Sequence, residues 1–175
     1  MVLQYFHKKE NKDQIIAKKI YSSIISLLQE LFNNKNFDIK RDFNSSFELM
    51  SLILFMIFYL SKLKSENKAI NQHLMDLYIA DLDKTLRELG IGDMNIGKYV
   101  KSYVKKIYYR ISKLEFIFRD NNYDDFEIYI NKIFFNNKTT KHEKFSKYLF
   151  SLINSSLKRA KIEDISEFII KDCAN

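Results

Sequence analysis

Three features of the sequence predict an all-α fold, a compact bundle of six or seven helices around a nearly all-apolar central helix. Apolar residues recur at three- and four-residue steps through most of the chain, which sets them on one face of successive helices. Proline is absent and only three glycines occur in 175 residues, so little interrupts those stripes. No segment alternates with period two for long enough to read as a strand. At this length one helical domain over residues 1–175, with a sizeable core, is expected.

The first helix is expected over residues 12–32, where Ile16, Ile20, Ile24, Leu27, Leu28 and Leu31 share a face. The polar run 33–36 ends it, and Ser45 or Ser46 reads as the N-cap of the next helix. That second helix, over 47–64, is apolar around nearly its whole circumference, as befits the middle of a bundle. Its run from Leu49 to Leu60 is apolar except for Ser51, whereas a membrane span needs roughly 20 apolar residues. It reads as a buried central helix, with an interfacial segment as the alternative.

A third helix is expected over 67–89, with Gly90 as its C-terminal stop. Its stripe runs Leu74, Leu77, Tyr78, Asp81, Leu82, Thr85, Leu86 and Leu89, which puts a carboxylate on the apolar face. An unpaired carboxylate there is costly. A tilt that lets Asp81 reach water, an ion pair with a lysine of the next helix, and a functional acid are the three readings.

After a short turn, a fourth helix over 96–119 buries Val100, Tyr103, Val104, Ile107, Ile111 and Leu114. Lys98, Lys101 and Lys105 lie on one flank of that stripe, and Lys106 and Arg110 on the other. Shorter helices follow over 124–135, 141–158 (Phe145, Tyr148, Leu149, Leu152 and Ile153 inward) and 162–171.

A net charge of +7 and a pI near 9.3 point to an acidic partner such as RNA, an anionic membrane surface or an acidic client. The abundance of Lys, Asn, Ile, Phe and Tyr also matches drift under an AT-rich genome, which weakens that inference. The lone cysteine, Cys173, excludes an internal disulfide framework and fits a reducing compartment. Residues 1–13 are polar and carry Glu10 and Asp13, unlike a signal peptide or a mitochondrial presequence, so a cytoplasmic location is expected.

Catalytic chemistry finds little support. The run from Gly92 to Lys98 matches P-loop spacing up to its lysine, but Tyr99 stands where a hydroxyl should reach magnesium, and a helix precedes it instead of a strand. His7, His73 and His142 are far apart, without Cys or His at metal-ligand spacing. Asp81 and Asp83 are two residues apart, so they do not face each other on a helix. The aromatics, 15% of the chain, fall mostly on inner stripes, as Tyr103 and Phe145 do, which favours core packing over base stacking. Neither an active site nor a cofactor is expected.

One stretch goes further. From Tyr78 to Lys101 the chain carries Asp81-Leu-Asp83, Leu86-Arg87-Glu88, Gly90-Ile-Gly92-Asp93 and Ile96-Gly97-Lys98, ungapped. This resembles the signature of the ubiquinol–cytochrome c chaperone family in its bacterial form, approximately D-x-D-x-x-L-R-E-x-G-[VI]-G-D-x-x-[VI]-G-K-x-[VI]-K. Phe47-Glu48-Leu49 through Leu63-Lys64 is similar to the family's apolar helix, and Tyr21 to Ile25 to its early Y-x-x-I segment. The likeness covers roughly residues 15–115 and is weaker over 120–172. Where the family has a pattern like F-Y-G-R, this chain has Tyr109 before Arg110.

The resemblance implies a non-enzymatic assembly chaperone without a cofactor. It would bind newly synthesised cytochrome b and assist assembly of the ubiquinol–cytochrome c reductase complex. It further implies contact with the ribosome and peripheral contact with the cytoplasmic face of the inner membrane, and neither DNA nor a small-molecule substrate. On this reading the client- or partner-binding residues are Asp81, Asp83, Arg87, Glu88, Asp93, Lys98, Lys101 and Lys105, with Gly90, Gly92 and Gly97 shaping the turn. The plainer reading is that Gly90 and Gly92 only form the turn and Asp93 only caps the fourth helix. From the lysine flanks alone, the alternative function is a basic helical RNA-binding or ribosome-associated module.

Overall fold

A computed structural model describes residues 11–64, 68–135 and 142–159. The helices are α1 (Lys12–Asn33), α2 (Phe43–Lys64), α3 (Lys68–Glu88), α4 (Asp93–Arg119), α5 (Tyr123–Ile130) and α6 (His142–Arg159), with a π-helical turn at Asn131–Phe135 between the last two. Among the described residues there is no strand, and the all-α expectation holds. The helix expected at 162–171, together with His7 and Cys173, lies outside the described residues.

α1 begins at a reciprocal cap. The Asn11 side chain accepts the Gln14 amide at 2.8 Å, and the Gln14 side chain accepts the Asn11 amide at 3.0 Å. α2 starts earlier than expected because neither serine caps it. The Asp42 carboxylate does so, accepting the Ser45 amide at 2.8 Å, while the Ser46 hydroxyl bonds back to the Asp42 carbonyl at 2.9 Å.

α2 has 22 residues and is apolar enough by length and composition to cross a membrane, longer than its apolar run suggests. In the bundle it is instead the central helix, packed by α1, α3, α4 and α6. Leu49, Leu54, Phe55, Met56, Ile57 and Leu60 are wholly enclosed. Ser51, equally enclosed, turns its hydroxyl onto the Phe47 carbonyl at 2.8 Å, so its polar atom is satisfied within the helix.

α1 and α3 pack side by side, and α4 lies across both α2 and α3. α5, the π turn and α6 close the far end through aromatic contacts. Phe118 of α4 meets Phe126 and Phe150 at ring-centroid distances of 5.3 and 5.1 Å. The segment 124–135 is therefore not one α-helix. Its last turn widens to π geometry and brings Phe134 and Phe135 together against Phe145, at 5.4 and 6.2 Å.

Candidate functional site

The turn between α3 and α4 is built from its hydrogen bonds. The Gly90 amide donates to the Arg87 carbonyl at 2.9 Å and the Ile91 amide to the Leu86 carbonyl at 3.0 Å, the Schellman pattern. It requires a left-handed residue, and Gly90 supplies it with φ +90°. Gly92 is the N-cap of α4 and offers no side chain to it. Asp93 is thus the first helical residue and not the cap; its carboxylate lies at the positive end of α4, where negative charge is favoured.

Arg87 braces this turn. Its Nε donates to Asp83 Oδ2 at 2.6 Å along α3, and its Nη1 donates to Asp93 across the turn. Those bonds, to Asp83 first and then Asp93, hold its guanidinium pKa above the ordinary arginine value. Three of the candidate residues are therefore engaged with one another. Glu88 is exposed and lies 3.9 Å from Lys84, a loose surface pair.

Asp81 points away from the turn. Its carboxylate is exposed and accepts the Tyr21 hydroxyl of α1 at 2.8 Å. The partner among the described residues is thus a phenol, not the lysine of the next helix, and water also reaches the group. Burial, then the bond to Asp81, pushes the Tyr21 hydroxyl well above the usual phenol range. Asp81 ties α1 to α3.

Lys98, Lys101 and Lys105 remain. Along α4 they fall in one row with Met94, which is 99% exposed, and Tyr108. All three are exposed, and none has an ion-pair partner among the described residues. Gly97 borders the row, and a Cβ placed there would meet nothing within 4 Å; the same holds at Gly92.

On the other flank, Lys106 lies 4.4 Å from the Tyr103 ring centroid. Arg110 departs from the expected open flank. It is mostly buried and forms a fork with Glu48 of α2, Nε to Oε2 at 2.9 Å and Nη2 to Oε1 at 2.8 Å. Sequence reasoning missed this pair, although a glutamate at the head of an apolar helix is a charge that requires a partner.

The residues that match the ubiquinol–cytochrome C chaperone family model run from 35 to 154, more than half of the chain. Comparison with curated proteins gives no match. Among solved structures, the fold is similar to the crystal structure of the Cbp3 homolog from Brucella abortus, with a TM-score of 0.74 and 22% identity over 95% of this chain and 93% of that one. At that identity the structural likeness speaks for the fold; the family match carries the assignment. The chain belongs to the ubiquinol–cytochrome c chaperone family.

Proposed function

We propose that this chain is an assembly chaperone for the ubiquinol–cytochrome c reductase complex, and that it holds newly synthesised cytochrome b on the N-terminal half of α4. The braced turn fixes where α4 begins, and the row of Met94, Lys98, Lys101 and Lys105 is presented outward from it. Such a chaperone acts by binding and release alone, so the face needs no catalytic group.

Gly97 is the observation that carries this reading. A glycine inside a helix costs about 1 kcal/mol relative to alanine. Neither backbone conformation nor crowding within the chain calls for one here, since a Cβ would enter open space. Close approach of a partner's backbone is the reason that remains, and the exposed side chains of Met94, Lys98 and Lys101 border the gap.

The lysine row also suits a weaker role, drawing the chaperone to anionic surfaces where the client emerges. Ribosomal RNA and the cytoplasmic face of the inner membrane both qualify. A basic RNA-binding module remains the competing reading, favoured by the same lysines.

Substituting Gly97 tests the proposal. G97L leaves the fold intact, because the site is open, and lowers recovery of cytochrome b with the full-length chain from native membranes severalfold. Recovery equal to that of the parent, with the melting temperature unchanged or raised, would remove this face from consideration.

A further inference from the structure

A second surface, remote from the α3–α4 turn, is formed where α5 lies against the C-terminal half of α4. The two helices leave an open groove of about 510 Å³. Its walls carry Tyr109, Phe116 and Ile128, which are 62%, 57% and 65% exposed. Single exposed apolar side chains need no explanation, but three on one groove mark an interaction surface. Ile117 and Tyr129 form its buried floor.

The polar groups around it are unevenly satisfied. The Arg110 guanidinium is occupied by Glu48. Lys113 and Lys132 are exposed and have no carboxylate partner among the described residues, and the Lys113 ammonium lies 6.0 Å from the Tyr129 ring centroid. The Tyr129 hydroxyl is buried without a hydrogen-bond partner. The acid of the rim, Asp125, is already held by the Asn122 side-chain amide at 2.8 Å. An occupant is therefore asked for apolar surface along the middle and negative charge at the lysines.

We propose that this groove docks an amphipathic helix of a second polypeptide, with an apolar stripe bordered by carboxylates. The stripe packs on Tyr109, Phe116 and Ile128, and the carboxylates pair with Lys113 and Lys132. The rim favours a peptide over an anionic bilayer. Asp125 is exposed on the rim it shares with the lysines, and a uniformly negative surface would be repelled by it. A helix can pattern its charges to suit both signs. This docking stands independently of where cytochrome b is held.

Two fluorescein-labelled helical probes of about 18 residues, five turns, test it by anisotropy against the full-length chain. Both carry one leucine stripe; one is flanked by Glu and the other by Lys. The Glu probe binds at least about tenfold more tightly, a difference of about 1.4 kcal/mol. I128E and the double variant K113E/K132E each weaken it about tenfold or more with melting temperature unchanged, the double variant gains affinity for the Lys probe, and K144E on α6 changes nothing. Equal affinity for both probes would overturn the proposal, as would Glu-probe binding that survives I128E and K113E/K132E. So would flotation with phosphatidylglycerol vesicles that depends on these residues while the probe does not bind, which would assign the groove to lipid.

Discussion

Arg110 and Glu48 form a two-pronged ion pair, 2.9 and 2.8 Å, between the middle of α4 and the first half of α2. Both side chains are largely withdrawn from water, at 22% and 12% exposure. The fork fixes how α4 lies on the central helix, and with it both surfaces that α4 presents. The bond to Glu48 raises the arginine pKa further, against the opposing effect of burial, so the guanidinium keeps its charge throughout the physiological range.

Removing one partner leaves the other charge stranded. E48A is expected to cost about 2–3 kcal/mol, below the value for fully buried pairs because some water reaches this one. In a chain of this size that lowers the melting temperature by about 5–10 °C. The double variant E48M/R110M recovers at least half of the loss, since two apolar side chains of similar volume strand nothing. Urea unfolding of the three proteins checks this; a loss under about 0.5 kcal/mol for E48A would mean the fork contributes little.

The three glycines should separate by sign. G90A forces an alanine to φ +90° and loses about 1–2 kcal/mol. G97A relieves a flexible helical position and gains about 0.5–1 kcal/mol. G92S adds the missing side-chain cap of α4 and gains a few tenths of a kcal/mol. Chemical denaturation resolves the ordering, and a destabilising G97A would show that the chain itself needs that glycine.

High pH probes the buried phenols. Burial is the leading cause that raises the hydroxyls of Tyr21, Tyr78 and Tyr129, and it pushes Tyr123 up to about 12. Each is raised above an unfolded value of about 10. Their contribution is fully present below about pH 10 and is lost as pH rises through the window above it, because the unfolded chain releases these protons first. Urea midpoints at pH 8, 9, 10 and 11 should fall steeply only at the alkaline end, and less for Y78F than for the parent. Parallel curves for the two proteins would show that Tyr78 is not among the groups responsible.

Most of the helical framework was legible because its stripes are long. Leu74 to Leu86 repeat without a break, and the enclosed core of α2 follows from a run that is apolar on every side. What escaped was set by contacts distant in sequence. The apolar periodicity that reveals Ile107 and Leu114 is silent about Arg110, whose burial depends on a glutamate 62 residues earlier. Asp81 was visible as an anomaly, but its phenol partner lies 60 residues back on α1. The family-like turn was legible as a motif, yet the motif could not separate the residues that brace it from those left free. Arg87, Asp83 and Asp93 satisfy one another, whereas Lys98, Lys101 and Lys105 do not. The π turn had no signal in residues 131–135, because it follows from seating Phe134 and Phe135 on α6.

That division of labour within the motif gives the last prediction. R87A removes two exposed ion pairs and costs under about 1 kcal/mol, since surface pairs are weak. It leaves the lysine row in place and lowers cytochrome b recovery only slightly. K98E/K101E/K105E replaces three positive charges by three negative ones at exposed positions, so stability stays within about 0.5 kcal/mol, while recovery falls severalfold. Salt separates a protein client from RNA. If the row contacts phosphates, single-stranded RNA affinity falls with salt by about 0.7 logarithmic units per neutralised phosphate, and neutralising the three lysines flattens that slope by about two. A client held on Met94 and the Gly97 gap, with lysines at its edge, depends far less on salt. Recovery of cytochrome b that persists in high salt and is lost in G97L would favour the chaperone face; RNA binding with the steep slope and an unaffected G97L would favour the basic module.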